Sequence, residues 1–327
     1  MKATAIAPSN IAFIKYWGKK DKILRLPTNG SLSMNLSALL TTTTVEFSDK
    51  YKENLVIING QKATVEAEDR VVDHLDRIRK LGNISYRAKV ASVNNFPTSS
   101  GLSSSASGFA ALTLAAAISS GLKLTEKELS ILARKASGSA CRSIPDGFVE
   151  WFEGTTDASS WARSIYPPSF WDIKDIVVIV DRKEKDVSTT EGQKNAFSSP
   201  FFKLRLLRIN DKIAKLKKFL KEKDFENFGK LVEDEALELH AMIMTAKPSL
   251  IYWLPETVRL MRLVRVWRSR GVSVYFTINT GHDIHLLCEE KNRQKVLARL
   301  EDAGIKKDNI IVSSPAEGVK LINNHLF

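Results

Sequence analysis

Two cysteines, Cys141 and Cys288, are all that the 327 residues contain, and they stand in no CxxC or zinc-ligand spacing. That scarcity argues against a disulfide framework and a structural zinc, and it fits a reducing compartment, the cytoplasm, with both thiols packed as small apolar groups. Long apolar runs are missing too. No stretch approaches the roughly 20 residues that cross a bilayer, and the opening MKATAIAPSNIAFIKYWGKK has no continuous signal-peptide core, so no membrane partner is expected. There is no internal repeat and no low-complexity tract. A content of 43% hydrophobic and 26% charged residues is that of an ordinary folded protein. Acidic charge is the scarcer sign: 37 Asp and Glu stand against 49 Lys and Arg, a net +12, which admits nucleic acid or small anionic substrates as partners. The densest basic segment, DKIAKLKKFLKEK at 211–223, carries Ile213, Leu216, Phe219 and Leu220 at helical spacing. Its lysines therefore read as a solvated helix face and not as a nucleic-acid surface.

The most informative stretch is NNFPTSSGLSSSASG, Asn94 to Gly108, which runs straight into the apolar FAALTLAAAISSGL. A Gly/Ser-rich turn that opens a helix is a phosphate cradle, because the unpaired first-turn N–H groups and the positive dipole end face an anion. Pro97 sets the entry, Gly101-Leu102 the bend, and the hydroxyls of Ser103, Ser104 and Ser105 add donors for a phosphate or its metal ion. Ala106 and Gly108 are expected to permit close packing.

Around this cradle the N-terminal portion alternates as strands, KATAIAPS, SLSMNL, TTTTVEFS and NLVIING, with a helix from Glu68 to Leu81 stopped by Gly82-Asn83. RAKVASV is a strand that delivers the chain to the cradle, and Thr125 with Glu128 caps a second helix that runs to about Ala136. DIKDIVVIVD, 172–181, opens a second lobe with helices near 201–220, 224–244, 255–270 and 291–303 and the strands SVYFTI and DIHLLCE. That order predicts an α+β lobe, helices on one face of an antiparallel sheet.

Two further segments carry polar residues that structure alone does not require. In NIAFIKYWGK, Lys15, Tyr16 and Lys19 cluster beside Gly18 and can neutralise and orient a phosphorylated acid. In SGSACR, Ser137 and Ser139 flank a glycine and Arg142 follows, offering hydroxyls and a guanidinium fork to a carboxylate or phosphate.

Taken in order, NIAFIKYWGK, LPTNGSLSMNL, VNNFPTSSGLSSSASGFAAL, SGSACRS with GFVEW, and KDVSTTEG resemble the diphosphomevalonate decarboxylases of the GHMP kinase superfamily. The resemblance implies an α+β (α/β two-layer) GHMP kinase fold with a left-handed βαβ crossover, a deep cleft between two lobes, and a homodimer. Residues 1–171 would form the lobe with the phosphate-binding loop and 172–327 a ferredoxin-like lobe. It implies a lyase that uses ATP and Mg²⁺ to phosphorylate the 3-hydroxyl of 5-diphosphomevalonate, after which the 3-phosphate leaves with CO₂ to give isopentenyl diphosphate. Matched motif by motif, Ser104 and Ser105 with the backbone of Gly101 and Leu102 would hold the ATP phosphates, Ser105 the metal, and Ser92, Val93 and Asn94 would lie near the nucleotide. Tyr16, Lys19, Arg70, Ser137, Ser139 and Arg142 would bind the substrate, with Arg142 clamping its carboxylate and Lys15 neutralising charge near the reacting hydroxyl.

One departure matters more than the matches. The family carries an aspartate general base in a TxDAGPN segment, and here FTINTGHDIHLL puts Asn279 at that position; an amide cannot accept the hydroxyl proton. Three explanations stand: Asp283 supplies the carboxylate, the chain is a form altered to trap ligands, or the substrate arrives already 3-phosphorylated as mevalonate 3,5-bisphosphate and ATP is dispensable. A kinase that stops at the 3-phosphate, or a non-catalytic basic binding protein, are the remaining alternatives. A second departure, Asp146 before Gly147, is expected to add negative charge near the cleft.

Overall fold

The computed structural model describes residues 1–97, 101–183 and 186–327. Thr98, Ser99 and Ser100 of the expected cradle and Lys185 of KDVSTTEG lie outside the described residues. The chain opens with β1 (Lys2–Ile14), the short pair β2 (Lys19–Asp21) and β3 (Leu26–Pro27), and the long β4 (Ser31–Ser48). After them come β5 (Leu55–Ile58), β6 (Gln61–Lys62), α1 (Val65–Gly82) and β7 (Arg87–Asn94), then α2 (Ser104–Ser119) and α3 (Glu126–Ala136). A 3₁₀ turn, Gly138–Ser143, leads to β8 (Phe148–Trp151) and β9 (Ala162–Tyr166). The remainder holds β10 (Ile173–Val178), α4 (Thr189–Gly192), α5 (Phe202–Glu222), α6 (Phe225–Thr245), α7 (Pro255–Ser269), β11 (Tyr275–Thr277), β12 (Ile284–Glu289), α8 (Glu290–Asp302), β13 (Ile310–Ser313) and β14 (Lys320–Ile322).

The expected helices start where their caps require. Thr64 accepts the Ala67 N–H to open α1, and Asn83 ends it in the left-handed region at φ 49°. Thr125 and Glu128 form the reciprocal capping box of α3.

The first sheet runs β14-β1-β4-β7-β5-β6, with β8 paired to the early part of β4 and β9 to β8. The second sheet is antiparallel, β11-β12-β10-β13. This is the mixed α+β architecture that the strand and helix pattern predicts. The C-terminal segment crosses a division at residue 171/172 in space: β14 pairs with β1, placing Ile322 opposite Thr4, and just before it the Ala316 N–H donates to Asn35 O of β4 at 3.1 Å.

One core lies between the first sheet and α1, α2 and α3, built on Val45, Leu75, Val90, Ala111 and Leu132. A second spans the two lobes, joining Ile11, Phe13 and Phe148 to Ile173, Leu216, Phe228 and Leu287. Burying one continuous apolar surface between the sheets is what fixes the cleft walls relative to each other.

Three expectations need correction. Lys212 is not solvated: it is 7% exposed and its Nζ meets Glu235 Oε2 at 2.9 Å, because α5 turns this position toward α6. Gly108 does not serve close packing, since a Cβ there would meet nothing within 4 Å. Asp146 does not charge the cleft; it is exposed and its Oδ1 accepts the Gly318 N–H at 2.6 Å, tying down the segment before β14.

Candidate active site

Helix α2 begins at Ser104 with Ser103 as its N-cap residue in the left-handed region, φ 59°, and no side chain caps its first turn. Its N-terminus opens onto a cleft of about 570 Å³ lined by both lobes. A helix start without a side-chain cap, ringed by Ser103, Ser104 and Ser105, is the arrangement that holds a phosphate. Gly101, at φ 110°, is the bend; a Cβ there would lie 2.9 Å from Gly281 Cα in the second lobe, so a glycine is required where the two lobes meet.

Opposite the helix stand Lys15, Tyr16 and Lys19 after β1, Arg25 between β2 and β3, Arg70 on α1, and Ser137, Ser139 and Arg142 at the 3₁₀ turn. Among the described residues, none of Lys15, Lys19, Arg25, Arg70 and Arg142 forms a salt bridge. Arg142 is 4% exposed and held by neutral partners only: Nε and Nη2 donate to Asn10 Oδ1 at 3.1 and 2.9 Å, and Nη1 donates to Ser31 Oγ at 3.0 Å. Its charge is thus oriented but not neutralised by the protein. Tyr16 stacks edge-on against Trp151 at 4.6 Å, and its Oη is buried without a hydrogen-bond partner among the described residues. Gly138 makes room for it, since a Cβ there would lie 2.6 Å from Tyr16 Cε1.

Burial drives the Lys15 ammonium down to about 7, although the Glu235 carboxylate raises it. Burial, reinforced by Arg25 and Arg70, brings Lys19 down to about 8. Glu235 holds the Lys15 turn in place: Oε1 accepts the Lys15 backbone N–H at 3.1 Å and also the Arg205 guanidinium. Burial pushes its carboxyl up, but Arg205 and Lys212 outweigh that and keep it ionised.

Asn279 sits in the cleft with its side chain between the lobes. Its Oδ1 accepts from Lys15 Nζ at 3.2 Å, and its Nδ2 donates to Ser103 Oγ at 3.3 Å. His240 Nε2 bonds the Asn279 carbonyl oxygen at 2.8 Å, and since a carbonyl only accepts, the proton is on Nε2. Thr280 Oγ1 meets Thr189 Oγ1 of α4 at 2.5 Å, bringing the KDVSTTEG motif to the same wall.

The structure therefore gathers Lys15, Tyr16, Lys19, Arg70, Gly101, Ser103, Ser104, Ser105, Ser137, Ser139, Arg142 and Asn279 around one cleft. Asp283 is not among its lining residues; it lies beside β10, where Oδ1 accepts the Val180 N–H at 2.8 Å. The carboxylate expected four residues after Asn279 is therefore engaged outside the cleft. Ser92, Val93, Asn94 and Pro97 lie at and just beyond the end of β7, outside the lining, with Ser92 Oγ on Thr43 and Asn94 Oδ1 on Thr41. Leu102 is buried in the interlobe core and its carbonyl accepts from Ser9 Oγ at 2.6 Å. Sequence reasoning missed Arg25, Lys194 and the α4 residues Thr189 and Thr190 as cleft walls. It also missed Glu235 and His240, which no local pattern marks. Both cysteines are buried, and burial pushes the Cys141 thiol up to about 12.

Among the described residues no helix is long and apolar enough to cross a membrane, and no group of three or more His, Cys, Asp or Glu could hold a metal. Ser105 Oγ, 3.4 Å from Ser137 Oγ at the start of α2, fits a hydroxyl that shares a metal with a ligand's phosphates.

Residues 7–162 match the family described as diphosphomevalonate decarboxylase-like N-terminal domain, and residues 175–323 the mevalonate 5-diphosphate decarboxylase C-terminal domain. The phosphomevalonate decarboxylase of Haloferax volcanii is 31% identical, over 97% of this chain and 97% of that one. The diphosphomevalonate decarboxylase of Candida albicans is 34% identical, over 91% and 87%. Among solved structures, the mevalonate diphosphate decarboxylase of Staphylococcus aureus superposes with a TM-score of 0.94 at 34% identity over 98% of each chain. The one described as MDDEF in complex with MVAPP, AMPPCP and magnesium does so at 0.94 and 36% over 99% of each. Since both halves match in order and relatives align along nearly the whole length, the chain belongs to the diphosphomevalonate decarboxylase family.

Proposed function

We propose that this chain is a carboxy-lyase that decarboxylates 5-diphosphomevalonate to isopentenyl diphosphate with ATP and Mg²⁺. The observation that carries this reading is the set of five cations unpaired among the described residues, Lys15, Lys19, Arg25, Arg70 and Arg142, converging on the uncapped start of α2. Such a cleft suits a ligand with a carboxylate and several phosphates. The relative solved with MVAPP, AMPPCP and magnesium supports the same ligands here.

In this reading ATP supplies the phosphoryl group that turns a tertiary hydroxyl into a leaving group. Ser103, Ser104, Ser105 and the first-turn N–H groups of α2 hold the nucleotide phosphates, Ser105 the metal, and Ser92, Val93 and Asn94 the approach to the nucleotide. Tyr16, Lys19, Arg70, Ser137 and Ser139 bind the substrate's diphosphate. Arg142, fixed by Asn10 and Ser31, clamps the carboxylate in line with the bond that breaks. The roles follow a lobe for the phosphates, residues 1–171, and a second lobe, 172–327. A homodimer in the cytoplasm completes the proposal.

Asn279 favours a second reading, decarboxylation of mevalonate 3,5-bisphosphate without nucleotide, because no proton then has to be removed. The deciding measurement is ADP, phosphate and CO₂ release with each substrate. Stoichiometric ADP and CO₂ from diphosphomevalonate support the first reading. Turnover of the bisphosphate alone, with none of diphosphomevalonate, replaces it by the second, and ADP without CO₂ leaves only a kinase.

A further inference from the structure

The ATP-dependent reading needs a base at the 3-hydroxyl, and among the described residues no buried carboxylate lines the cleft. Asp283 is bonded to Val180 outside the lining, Glu66 and Asp69 are exposed on α1, and Glu191 is exposed on α4 and paired with Lys194. We propose that Lys15 Nζ, in its neutral amine form, is the general base that takes the 3-hydroxyl proton, with Asn279 as the residue that aims it. The inference rests on that reading.

The geometry supports it in three ways. Lys15 is 2% exposed yet lines the cleft, so its amine faces the ligand space and little water. Among the described residues Nζ makes one hydrogen bond, to an amide oxygen, Asn279 Oδ1 at 3.2 Å, and no carboxylate pairs with it. An aspartate at 279 would pair with the ammonium and hold the proton on it, whereas the asparagine orients the amine without charging it.

The groups facing Lys15 from each packed element agree. Glu235 on α6 raises its affinity for a proton, but that carboxylate is already shared by Arg205 and Lys212. Asp175 on β10 raises it further and is bonded to His285. Arg142 at the 3₁₀ turn and Arg205 on α5 lower it, and His240, near 3, stays neutral. Burial dominates, which leaves the amine titrating at about 7. An amine poised near the operating pH is suited to proton transfer.

In the step, the O3–H proton passes to Nζ, O3 bonds to the γ-phosphorus, and the bond to the β-phosphate oxygen breaks with ADP leaving. The tertiary phosphate then departs with its electron pair as the carboxylate's C–C bond electrons form the alkene and CO₂. Lys15 returns its proton to water.

The test pairs a direct titration with kinetics. With lysine side chains labelled, NMR of the ligand-free protein follows Lys15, assigned by its loss in Lys15→Arg. It is expected to titrate at about 7, and to move above pH 9 in Asn279→Asp. The ATP-dependent kcat/KM of the wild type should rise tenfold per unit below that midpoint and level off above it. Lys15→Arg, which keeps the charge and cannot give up its proton, should lose at least about 100-fold in kcat with ATP binding within threefold. Asn279→Asp should be active well below pH 6, the base having passed to the aspartate. Activity with a flat profile from pH 6 to 9, a Lys15 titration above 9.5, or Lys15→Arg retaining a third of kcat overturns the base role alone. No ATP-dependent turnover at any pH removes the underlying reading and the base role together.

Discussion

Arg142 is the residue whose geometry is most nearly complete without a ligand. All three of its donor nitrogens are directed by Asn10 and Ser31, and none by an acid among the described residues. Arg142→Ala should therefore abolish decarboxylation, a loss of at least about 100-fold in kcat, because water cannot orient a carboxylate as a planar fork does. Arg142→Lys keeps a charge but not the fork, and should recover less than a tenth of the wild-type rate. Steady-state CO₂ release with a circular dichroism check on folding measures both, and near-normal turnover in Arg142→Ala would refute the assignment. His240 acts one step back, through its bond to the Asn279 carbonyl. His240→Phe keeps a ring but leaves that carbonyl unpaired, at about 1–3 kcal/mol, and should lower kcat more than it raises KM. A change in KM alone would show that Asn279 does not depend on it.

At the scale of elements, the uncapped start of α2 and the lysine turn after β1 were both legible, for a physical reason. A cradle is local in sequence, so its glycine, its serines and the helix that follows appear side by side. Capping is local as well, and the Thr125–Glu128 box could be read directly. What could not be read were contacts made across the chain: Glu235 holding Lys15 over a separation of 220 residues, and Gly101 packed against Gly281. The sequence pattern assigned Gly101 to the bend of the cradle, and the structure adds that its missing side chain is also what lets the lobes meet at Gly281. Gly101→Ala would strain a backbone at φ 110° and force Gly281 away. The strain alone is of order 1–3 kcal/mol, and the widened cleft should raise KM for ATP at least tenfold, measurable by nucleotide titration. The Glu235 network joins α5 and α6 to the β1 turn. Glu235→Ala leaves Arg205, 1% exposed, without an acid, while Lys212 keeps Glu238, at a cost of about 3–5 kcal/mol. A urea midpoint unchanged from the wild type would rule out that view of α6.

For the molecule as a whole, two buried imidazoles, His74 and His240, are held neutral, and that sets how it responds to acid. His74 is fully buried in the first core, and His240 lies 1% exposed at the lobe boundary. The Thr113 hydroxyl donates its proton to Phe109 O, so His74 must donate from Nε2 to Thr113 Oγ1, leaving a bare Nδ1 buried without a partner among the described residues. Protonating that nitrogen would place a charge in an apolar core, and burial accordingly pushes both histidines from 6.5 down to about 3. Between those two values the unfolded chain binds more protons than the folded one, so stability is complete above pH 6.5 and falls as the pH drops toward 3. Lys15 acts in a higher window with the same sign: its folded value of about 7 lies below the ordinary 10.5, so stability rises with pH between them. The histidine contribution is several kcal/mol, comparable to the roughly 5–15 kcal/mol that holds a whole protein folded. The urea midpoint is therefore expected to fall steeply from pH 6.5 to pH 4.5. His74→Leu isolates one share of that slope, because Thr113 still spends its proton on Phe109 O and is not orphaned by the change. The variant should unfold less steeply with acid than the wild type, and an identical pH dependence in the two proteins would show that His74 takes no part in acid sensitivity.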